Sequence, residues 1–388
     1  MYNIWCFVML GKKLVSGFGI LFEPTKTTSG QRFFKEMFET LESEVVPFEQ
    51  RPKIVLLNIS APWFEFFKAK WRRQKLVVRV DGLWMDRISL PYLEQFSWPM
   101  RALLSMGLYY PRLHNPLAHL ANFFVQNYTA FFRIALADHV IYQSEYSRVL
   151  HQTYFPKKTS NIIVNGSTFK GGLIPSKKNL TEIRLIVIYS AQSSKCIYET
   201  VKFVRWLFEE KGLSVELVIL GYTGEIPEMA PRDMKQLIEN SPFVRTLPWF
   251  NEFTNEISAE LNTADCYLCF SRRDPCPNAV VESMAHGLPV VGIASGGIPD
   301  IVGDAGELVP IDDFCNGFFA AHRWEHDFRP INFDSVYEAL QKVLDAPQEY
   351  RSRVKRRFLS QLDISVTAKF YADVLIEVGM LDDSGKDL

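Results

Sequence analysis

The stretch that decides the fold is Asp274-Pro-Cys-Pro-Asn-Ala-Val-Val-Glu282, which continues Ser-Met-Ala-His-Gly-Leu-Pro-Val-Val-Gly-Ile-Ala-Ser-Gly-Gly-Ile-Pro-Asp300. The apolar segment Cys266–Phe270 before it is a strand candidate, and a helix with Asn278 as its N-cap is predicted after the two prolines. Open α/β sheets bind ligands in loops at the C-terminal ends of their strands. Asp274 and Glu282 are therefore candidate ligand-binding acids, although each taken alone is more simply a solvated surface residue.

Length and composition describe a globular protein with two domains. The chain has 388 residues, more than one ordinary core accommodates. Hydrophobic residues make up 47% and charged residues 22%, which excludes a disordered chain. The formal net charge of −1 argues against nucleic acid as the main partner.

The cysteines indicate a reducing compartment. The six cysteines form no recognisable disulfide framework. Cys266 and Cys269 are the one C-x-x-C pair, and inside an apolar strand they are interpreted as a buried structural pair rather than as a zinc or redox site.

No segment of the sequence has the pattern of a transmembrane helix, and Ile4–Leu10 is predicted to be a first buried strand rather than a signal peptide. We therefore expect a cytoplasmic protein. The aromatic and basic segment Trp63–Lys75 leaves two interpretations open. On a helix it places Trp63, Phe64, Phe67 and Trp71 on one side and Lys68, Arg72 and Lys75 on the other. Such a helix can lie on an anionic membrane, here at its inner face, but a core-facing helix with solvated lysines is favoured.

Short apolar segments ending in polar loops mark the strands of the N-terminal half. Lys53–Asn58, Leu76–Val80 and residues 139–143 are predicted strands of the buried parallel type. Asp81 follows the second of them, where a site residue and an ordinary Asp-Gly turn are equally good explanations. Gly30 precedes a predicted helix over 31–41 and is a weaker candidate for contacting phosphate through its backbone amide.

From Ile183 onwards strands and helices alternate regularly, which predicts a second parallel sheet with crossover helices. Lys195 lies in the loop after the first of these strands, beside hydroxyl side chains and a predicted helix start. A lysine there is suited to neutralising a diphosphate. An isolated surface lysine would be the simpler explanation if Asp274 did not lie on the same predicted strand-end rim.

The segment from Asp274 to Val291 resembles the E-x7-E signature region of the retaining glycosyltransferases of family 4. Four upstream pieces agree with that family in order and spacing: Val78-Arg79-Val80-Asp81-Gly82, Ala137-Asp138-His139-Val140-Ile141-Tyr142-Gln143-Ser144, Ile163-Val164-Asn165-Gly166 and Ile219-Leu220-Gly221. The resemblance implies the GT-B fold, in which two Rossmann-like doubly wound domains face each other across a cleft. The segment Phe169–Thr181 has the composition of a linker, so residues 1–172 are expected to form the acceptor-side domain and 178–364 the nucleotide-sugar domain. The resemblance implies a last helix at about 365–388 that packs back on the first domain.

The resemblance also implies roles for individual residues. Glu282 is implied to hold the ribose of a UDP- or GDP-sugar donor, Asp274 to contact the donor sugar, and Lys195 to bind the diphosphate. Backbone amides of Asn278, Ala279 and Val280 are implied to hold sugar hydroxyls and phosphate. Asp81 falls near the reacting carbon. No metal and no cofactor is implied beyond the donor, and the acceptor is expected to be a saccharide or a lipid-linked glycan.

Three departures from the family pattern leave an alternative open. Asp274 stands in place of a glutamate, Pro277 replaces a position that is often small, and the arginine that usually precedes the lysine is absent near Ser190 and Ala191. Arg272 and Arg273 are hypothetical substitutes for that arginine. The alternative function is a catalytically weak protein that binds a nucleotide sugar or a glycan.

Overall fold

The computed structural model describes residues 2–5, 8–10, 13–15, 18–22, 29–41, 51–83, 88, 90–94, 96–171, 182–226, 230–248, 255–311 and 330–380. Within them the chain forms two six-stranded sheets and one separate hairpin. Helices connect most of the parallel strands of both sheets, which confirms the predicted α/β class with two doubly wound units.

The N-terminal half forms the first sheet. Its strands and the hairpin are β1 (Tyr2–Trp5), β2 (Val8–Leu10), β3 (Lys13–Val15), β4 (Phe18–Phe22), β5 (Ile54–Asn58), β6 (Lys75–Arg79), β7 (His139–Tyr142) and β8 (Ser160–Ile162). The sheet order is β1-β4-β5-β6-β7-β8, with β1 antiparallel to β4 and the other neighbours parallel, while β2 pairs with β3. All five residues of β5 are buried, as expected for a strand that is covered on both faces.

The C-terminal half forms the second sheet, which is parallel throughout. Its strands are β9 (Ile183–Ile188), β10 (Val215–Leu220), β11 (Val244–Leu247), β12 (Cys266–Cys269), β13 (Val290–Ala294) and β14 (Gly306–Pro310). Their order is β11-β10-β9-β12-β13-β14. The order reverses between β9 and β12, and such a reversal is where doubly wound sheets open a crevice for ligands.

The helices of the first half are α1 (Ser29–Leu41), α2 (Trp63–Trp71), α3 (Leu90–Glu94), α4 (Trp98–Tyr109), α5 (Pro111–His119), a π-helical segment (Leu120–Asn127), α6 (Tyr128–Leu136) and α7 (Glu145–Tyr154). Those that follow are α8 (Ile197–Glu209), α9 (Met234–Asn240), α10 (Asn255–Thr263), α11 (Asn278–Ala285), α12 (Ile298–Val302), α13 (Phe333–Asp345), α14 (Pro347–Arg357), a second π-helical segment (Phe358–Leu362) and α15 (Ile364–Met380). Ser144 caps the N-terminus of α7, because its hydroxyl accepts the Ser147 N–H at 3.1 Å.

Helix α15 returns from the second half to the first. Its Tyr371 and Leu375 are fully buried in one core with Phe33 of α1 and Ile54 of β5. The Lys75 ammonium also donates to the Val378 carbonyl at 2.9 Å. The last described helix therefore completes the hydrophobic core of the N-terminal half, and residues 381–388 lie outside the described residues.

The first strands differ from the sequence prediction. One strand was expected over Ile4–Leu10, but the structure has β1 and β2 separately there, and β4 was not predicted. The reason is pairing, since β1 lies antiparallel on β4 whereas β2 forms a hairpin with β3. Apolar content alone does not indicate such a change of partner. The expected linker falls largely on residues 172–181, which lie outside the described residues.

Helix α2 also differs from the favoured prediction. Its buried face consists of Glu65, Phe66 and Ala69. Of the four aromatic side chains predicted to face the core, Phe64, Phe67 and Trp71 are exposed to solvent, at 69%, 60% and 90%. Trp63 alone is partly buried and packs against the core of the first half. The placement of Lys75 on this helix is wrong, because Lys75 is the first residue of β6.

Candidate functional site

Two loops of the C-terminal half meet where the strand order reverses. Strands β9 and β12 are parallel neighbours, so the loop after β9 and the loop after β12 leave the same edge of the sheet. The Arg272 N–H donates to the Ser194 carbonyl at 2.7 Å and ties the two loops together. Beside this bond, the Lys195 ammonium forms an ion pair with Asp274 Oδ2. Two residues that the sequence singled out separately are thus in direct contact.

Lys195 has unused hydrogen-bonding capacity. It ends a short 3₁₀ turn, Ser193–Lys195, and its side chain is 20% exposed. Of the three N–H donors of an ammonium group, only the one directed to Asp274 has a partner among the described residues. Burial disfavours the charged form, but the Asp274 carboxylate outweighs it, so the pKa of Lys195 lies above its ordinary value. Lys195 is therefore a cation at neutral pH and can accept a second anionic partner.

Asp274 is held by its own loop and by the Gly-Gly turn after β13. Its Oδ1 accepts the Cys276 N–H at 3.0 Å, and its carbonyl accepts the Gly297 N–H at 2.8 Å. Gly296 has a φ of +59°, and a Cβ at that position would lie 2.3 Å from the Asp274 carbonyl oxygen. Glycine is therefore required there for both conformation and space. The short aspartate arm is thus directed at Lys195 and at its own backbone.

Helix α11 begins at Asn278, after Pro277, and presents backbone N–H groups beside Asp274. Pro277 takes the N-cap position without a side-chain cap, so the prediction of Asn278 as N-cap is wrong. The Val280 N–H already donates to the Pro277 carbonyl at 2.9 Å. Those of Asn278 and Ala279 make no hydrogen bond within the described part of the chain. Glu282 lies one turn further along the same helix and is partly exposed.

The N-terminal half contributes an ion pair at the end of β6. Arg79 NH1 lies 2.5 Å from Asp81 Oδ1, and the Arg79 side chain is 1% exposed whereas that of Asp81 is 41% exposed. The rings of Phe33 and Phe34 lie 5.2 and 5.0 Å from the Arg79 guanidinium carbon. Burial opposes the charge on Arg79, but Asp81 offsets this and raises the pKa of Arg79. Asp81 therefore faces solvent on top of a buried cation.

Two buried amides connect this ion pair to α11. Arg79 NH2 donates to Asn165 Oδ1 at 2.8 Å, and Asn165 Nδ2 donates to Asn278 Oδ1 at 2.8 Å. Gln143 Nε2 donates to Asp81 Oδ1 at 2.8 Å and to the Val80 carbonyl at 3.0 Å. The side chains of Asp81 and Asn278, from the two halves of the chain, are therefore joined by one hydrogen-bond network. A Cβ added at Gly82 would lie 3.3 Å from the Pro275 ring, so the two halves also approach closely here.

The sequence did not single out Arg79, Gln143 or Asn165, although all three stand in segments quoted for the family resemblance. Each is a polar residue at or just after the end of a buried strand or apolar run. That position was the available signal. Gly30 is the second residue of α1, and its part in ligand binding stays a prediction.

Burial keeps two of the described cysteines, Cys269 and Cys276, as neutral thiols. Cys196, Cys266, Cys269 and Cys276 are buried, and none of these four forms a disulfide. Burial raises the pKa of Cys269 to about 11 and that of Cys276 to about 12, so neither is a thiolate near neutral pH. Within the described residues no group of three His, Cys, Asp or Glu side chains is arranged to hold a metal ion. Metal independence stays a prediction.

A cavity of about 380 Å³ lies between α7 and the turn after β13. Glu145 and Tyr146 line it from the first half, and Gly296, Pro299 and Asp300 from the second. Asp300 Oδ2 accepts the Glu145 N–H at 2.7 Å, which is another contact between the halves. Lys195, Asp274 and Glu282 do not line this cavity, but Gly296, which lies against the Asp274 carbonyl, does, so the cavity adjoins the site described above.

Comparison with known proteins connects the second half to a family. Residues 191–324, which contain Lys195, Asp274 and Glu282, match the sequence model of the family described as "Glycosyl transferases group 1". A search of the curated proteins found no match. None of the described helices is both long and apolar enough to cross a membrane.

Solved structures resemble the chain over most of its length. The pneumococcal O-GlcNAc transferase GtfA in complex with UDP and GlcNAc is 15% identical with a TM-score of 0.51, covering 84% of this chain and 56% of GtfA. Sucrose-phosphate synthase from Thermosynechococcus elongatus is 12% identical with a TM-score of 0.54, covering 89% of this chain and 76% of the synthase. Anabaena HepE in complex with UDP is 15% identical with a TM-score of 0.53, covering 89% of this chain and 82% of HepE. The chain thus has the GT-B fold, and its C-terminal half carries the sequence pattern of glycosyl transferases group 1.

Proposed function

We propose that the protein is a retaining glycosyltransferase of the family 4 type, which moves a sugar from a UDP- or GDP-sugar to a saccharide or lipid-linked acceptor without a metal ion. The observation that carries this proposal is the Lys195–Asp274 ion pair beside the N-terminus of α11. It combines a cation that has spare donors with two backbone N–H groups, and both are suited to phosphate oxygens. The match of residues 191–324 to glycosyl transferases group 1 supports the same assignment.

The arrangement suggests how the donor is held. A diphosphate bound at Lys195 would take up the unused N–H donors, while the N–H groups of Asn278 and Ala279 receive further phosphate or sugar oxygens. Glu282, one helical turn away, would accept the ribose hydroxyls. Positive charge that is fixed in place before the reaction stabilises the leaving diphosphate in the transition state.

The chemistry of retention needs few protein groups. The bond between the sugar's anomeric carbon and the leaving phosphate oxygen breaks, and the acceptor oxygen bonds to the same carbon on the same face. The proton of the acceptor hydroxyl passes to an oxygen of the leaving diphosphate. Asp81, which is exposed at the end of β6, is the side chain of the N-terminal half assigned to the acceptor side of this step.

A protein that only binds a nucleotide sugar remains the second candidate, and one observation favours it. Both carboxylate oxygens of Asp274 already have partners, Lys195 and the Cys276 N–H. A carboxylate committed in this way can hold the donor pocket in shape without contacting the sugar. Binding without turnover is the outcome that this candidate predicts.

The test is a panel of UDP-glucose, UDP-galactose, UDP-N-acetylglucosamine, GDP-mannose and ADP-glucose, screened by thermal shift and then by donor hydrolysis. A bound donor raises the unfolding temperature by mass action. We expect Lys195→Ala and Glu282→Ala to reduce the hydrolysis rate by about 10²-fold or more, since each removes a charged contact to the donor. Binding of one donor without hydrolysis supports the second candidate, and no response to any donor rejects both.

A membrane surface is the proposed location of the acceptor. Phe64, Phe67 and Trp71 of α2, which we call the aromatic face, stand in solvent. Arg72 and Arg73 follow Trp71 directly, and their positive charge matches an anionic lipid surface such as the inner face of a membrane, whereas Lys70 pairs with Asp138 and Lys75 donates to the Val378 carbonyl. Aromatic side chains enter the headgroup region while neighbouring basic side chains contact lipid phosphate.

A further inference from the structure

Arg79 imposes a direction on the hydrogen bonds around it. A guanidinium group has five N–H donors and no acceptor, and it stays charged at every physiological pH. Arg79 is 1% exposed, so the partners of its donors lie inside the protein, and its Nε has none among the described residues. NH1 is directed to Asp81 Oδ1 and NH2 to Asn165 Oδ1. The Asn165 amide therefore has its oxygen towards Arg79 and its nitrogen on the opposite side.

The direction passes to the second half of the chain. Asn165 Nδ2 can only donate, so the side chain of Asn278 must present its oxygen, and the two atoms lie 2.8 Å apart. The Asn278 amide nitrogen then points away from Asn165, and it has no hydrogen-bond partner among the described residues. Two N–H donors are thus left beside the backbone N–H groups at the start of α11.

Gln143 has the same polarity. Its Nε2 donates to the Val80 carbonyl at 3.0 Å and to Asp81 at 2.8 Å. Its Oε1 is consequently on the side of Asn165 Nδ2, at 3.4 Å. If the Asn165 amide were rotated by 180°, its oxygen would face the Gln143 Oε1 atom and its nitrogen would face the Arg79 guanidinium. The first contact would then have no donor and the second no acceptor. One orientation of the three amides satisfies every one of these contacts.

We infer that Arg79 and Asn165 are positioning residues, which orient the Asn278 side chain so that it offers N–H donors to an oxygen of the donor substrate. The inference rests on the proposed function, because that oxygen belongs to the phosphate or sugar of a nucleotide sugar bound at Lys195. It adds a specificity contact that comes from the side chain of Asn278 rather than from its backbone. It also explains why an arginine is buried at the end of β6, 86 positions before the asparagine that it orients.

Aspartate substitutions test the polarity without any ligand. Asn165→Asp still accepts from Arg79, and Asn278 can turn its nitrogen towards the new carboxylate. Asn278→Asp still accepts from Asn165. In the double variant two acceptors face each other across 2.8 Å, so the free energy of unfolding should fall by more than the sum of the two single changes. If urea denaturation shows that the double variant loses only the sum of the two single losses in unfolding free energy, the proposed hydrogen bond from Asn165 to Asn278 is wrong.

Binding tests the role in substrate recognition. In both single variants an oxygen takes the place of the Asn278 amide nitrogen, so the donor selected from the panel above should bind about tenfold more weakly or worse in each. Asn240→Asp, on the exposed end of α9, is the control for one added negative charge and should bind normally. Wild-type affinity of a folded Asn165→Asp variant would overturn the inference. If the wild-type protein binds no donor, the proposed function and the ligand contact both fail, while the unfolding cycle still decides the polarity on its own.

Discussion

Two ion pairs stand at strand ends, one in each half of the chain, and they differ in how deeply the protein buries the cation. Arg79 of the first half is fully buried, with two hydrogen-bonded partners and two aromatic rings around it. Lys195 of the second half has Asp274 as its hydrogen-bonded partner among the described residues, and both side chains are 20% exposed. The first pair links residues two positions apart, whereas the second joins two loops 79 positions apart.

The difference indicates which cation can serve a ligand. A guanidinium enclosed by its own partners cannot turn to a phosphate without leaving other groups unsatisfied, so Arg79 acts through what it orients. An ammonium with spare donors at an exposed rim can gain an anion without losing its carboxylate. We therefore expect Arg79 to act on stability and on the orientation of side chains, and Lys195 to act on ligand binding.

The largest effect expected from this comparison is on stability at Arg79. Arg79→Met leaves Asn165 Oδ1 without its donor and Asp81 without its cation, and should lower the free energy of unfolding by about 3 kcal/mol. This loss is at the low end of the range expected when one partner of a buried ion pair is removed, because Asp81 is 41% exposed and can be hydrated. Urea denaturation at neutral pH measures the change.

Lys195→Met is the matched variant on the other side. It removes a cation of a partly exposed pair, so its cost in unfolding free energy should be clearly smaller, while donor binding is lost. An equal loss of stability in the two variants would contradict the contrast between a structural and a ligand-binding cation. Arg79→Lys should recover part of the stability, but not the donor affinity, because an ammonium cannot contact Asp81 and Asn165 with the fork geometry of a guanidinium.

The next largest effect is a loss of stability at low pH that originates in the N-terminal half. His151 of α7 lies between the rings of Tyr142 and Phe155, and its Nδ1 lies 2.7 Å from the Ser147 carbonyl. Burial lowers the pKa of His151 from 6.5 to about 4, although the Ser147 carbonyl and the Asp81 charge favour its proton. Because the unfolded chain takes up this proton more readily, stability falls as the pH drops from about 6.5 towards 4. Between pH 7 and pH 5 the loss should be about 2 kcal/mol.

His151→Gln keeps a donor for the Ser147 carbonyl and should remove that part of the pH dependence in urea denaturation at pH 5 and 7. His286→Gln is the matched change in the second half, where burial also lowers the pKa of the histidine. The ring of His286 has polar neighbours on both nitrogens, the Glu282 carbonyl and the Ser258 hydroxyl. His286→Gln should therefore reduce the pH dependence of the free energy of unfolding less than His151→Gln does. A larger reduction in His286→Gln would contradict the assignment of this pH dependence to His151.

The two halves also differ in how far their sites could be predicted from sequence. Asp274, Asn278 and Glu282 share one short segment, and Lys195 follows the neighbouring strand, so strand-end position and the family resemblance were enough to select them. The contact between Lys195 and Asp274 follows from β9 and β12 being neighbours, which the order of elements alone does not determine. Arg79, Gln143 and Asn165 come from three separate strand ends. Their importance depends on which side chain donates and which accepts in the hydrogen bonds between them, and the sequence does not show this. The exposure of the aromatic face was the less favoured of two interpretations of the sequence, because helical spacing does not indicate which face packs on the sheet.

The smallest effect concerns the surfaces of the two halves. Among the described residues, Phe64, Phe67 and Trp71 belong to a set of exposed large apolar side chains that lies mostly in the first half, whereas Phe208 represents the few in the second. Trp71→Ser should weaken co-sedimentation with vesicles of mixed phosphatidylcholine and phosphatidylserine by roughly tenfold, since inserting an aromatic side chain contributes about 1–2 kcal/mol. Phe208→Ser, the control on α8, should leave it unchanged. Because basic residues flank Trp71, binding should also fall as salt is raised. Equal binding to neutral vesicles at every salt concentration would show that the aromatic face does not select anionic lipid. The surfaces of the two halves would then differ only in how many large apolar side chains they expose.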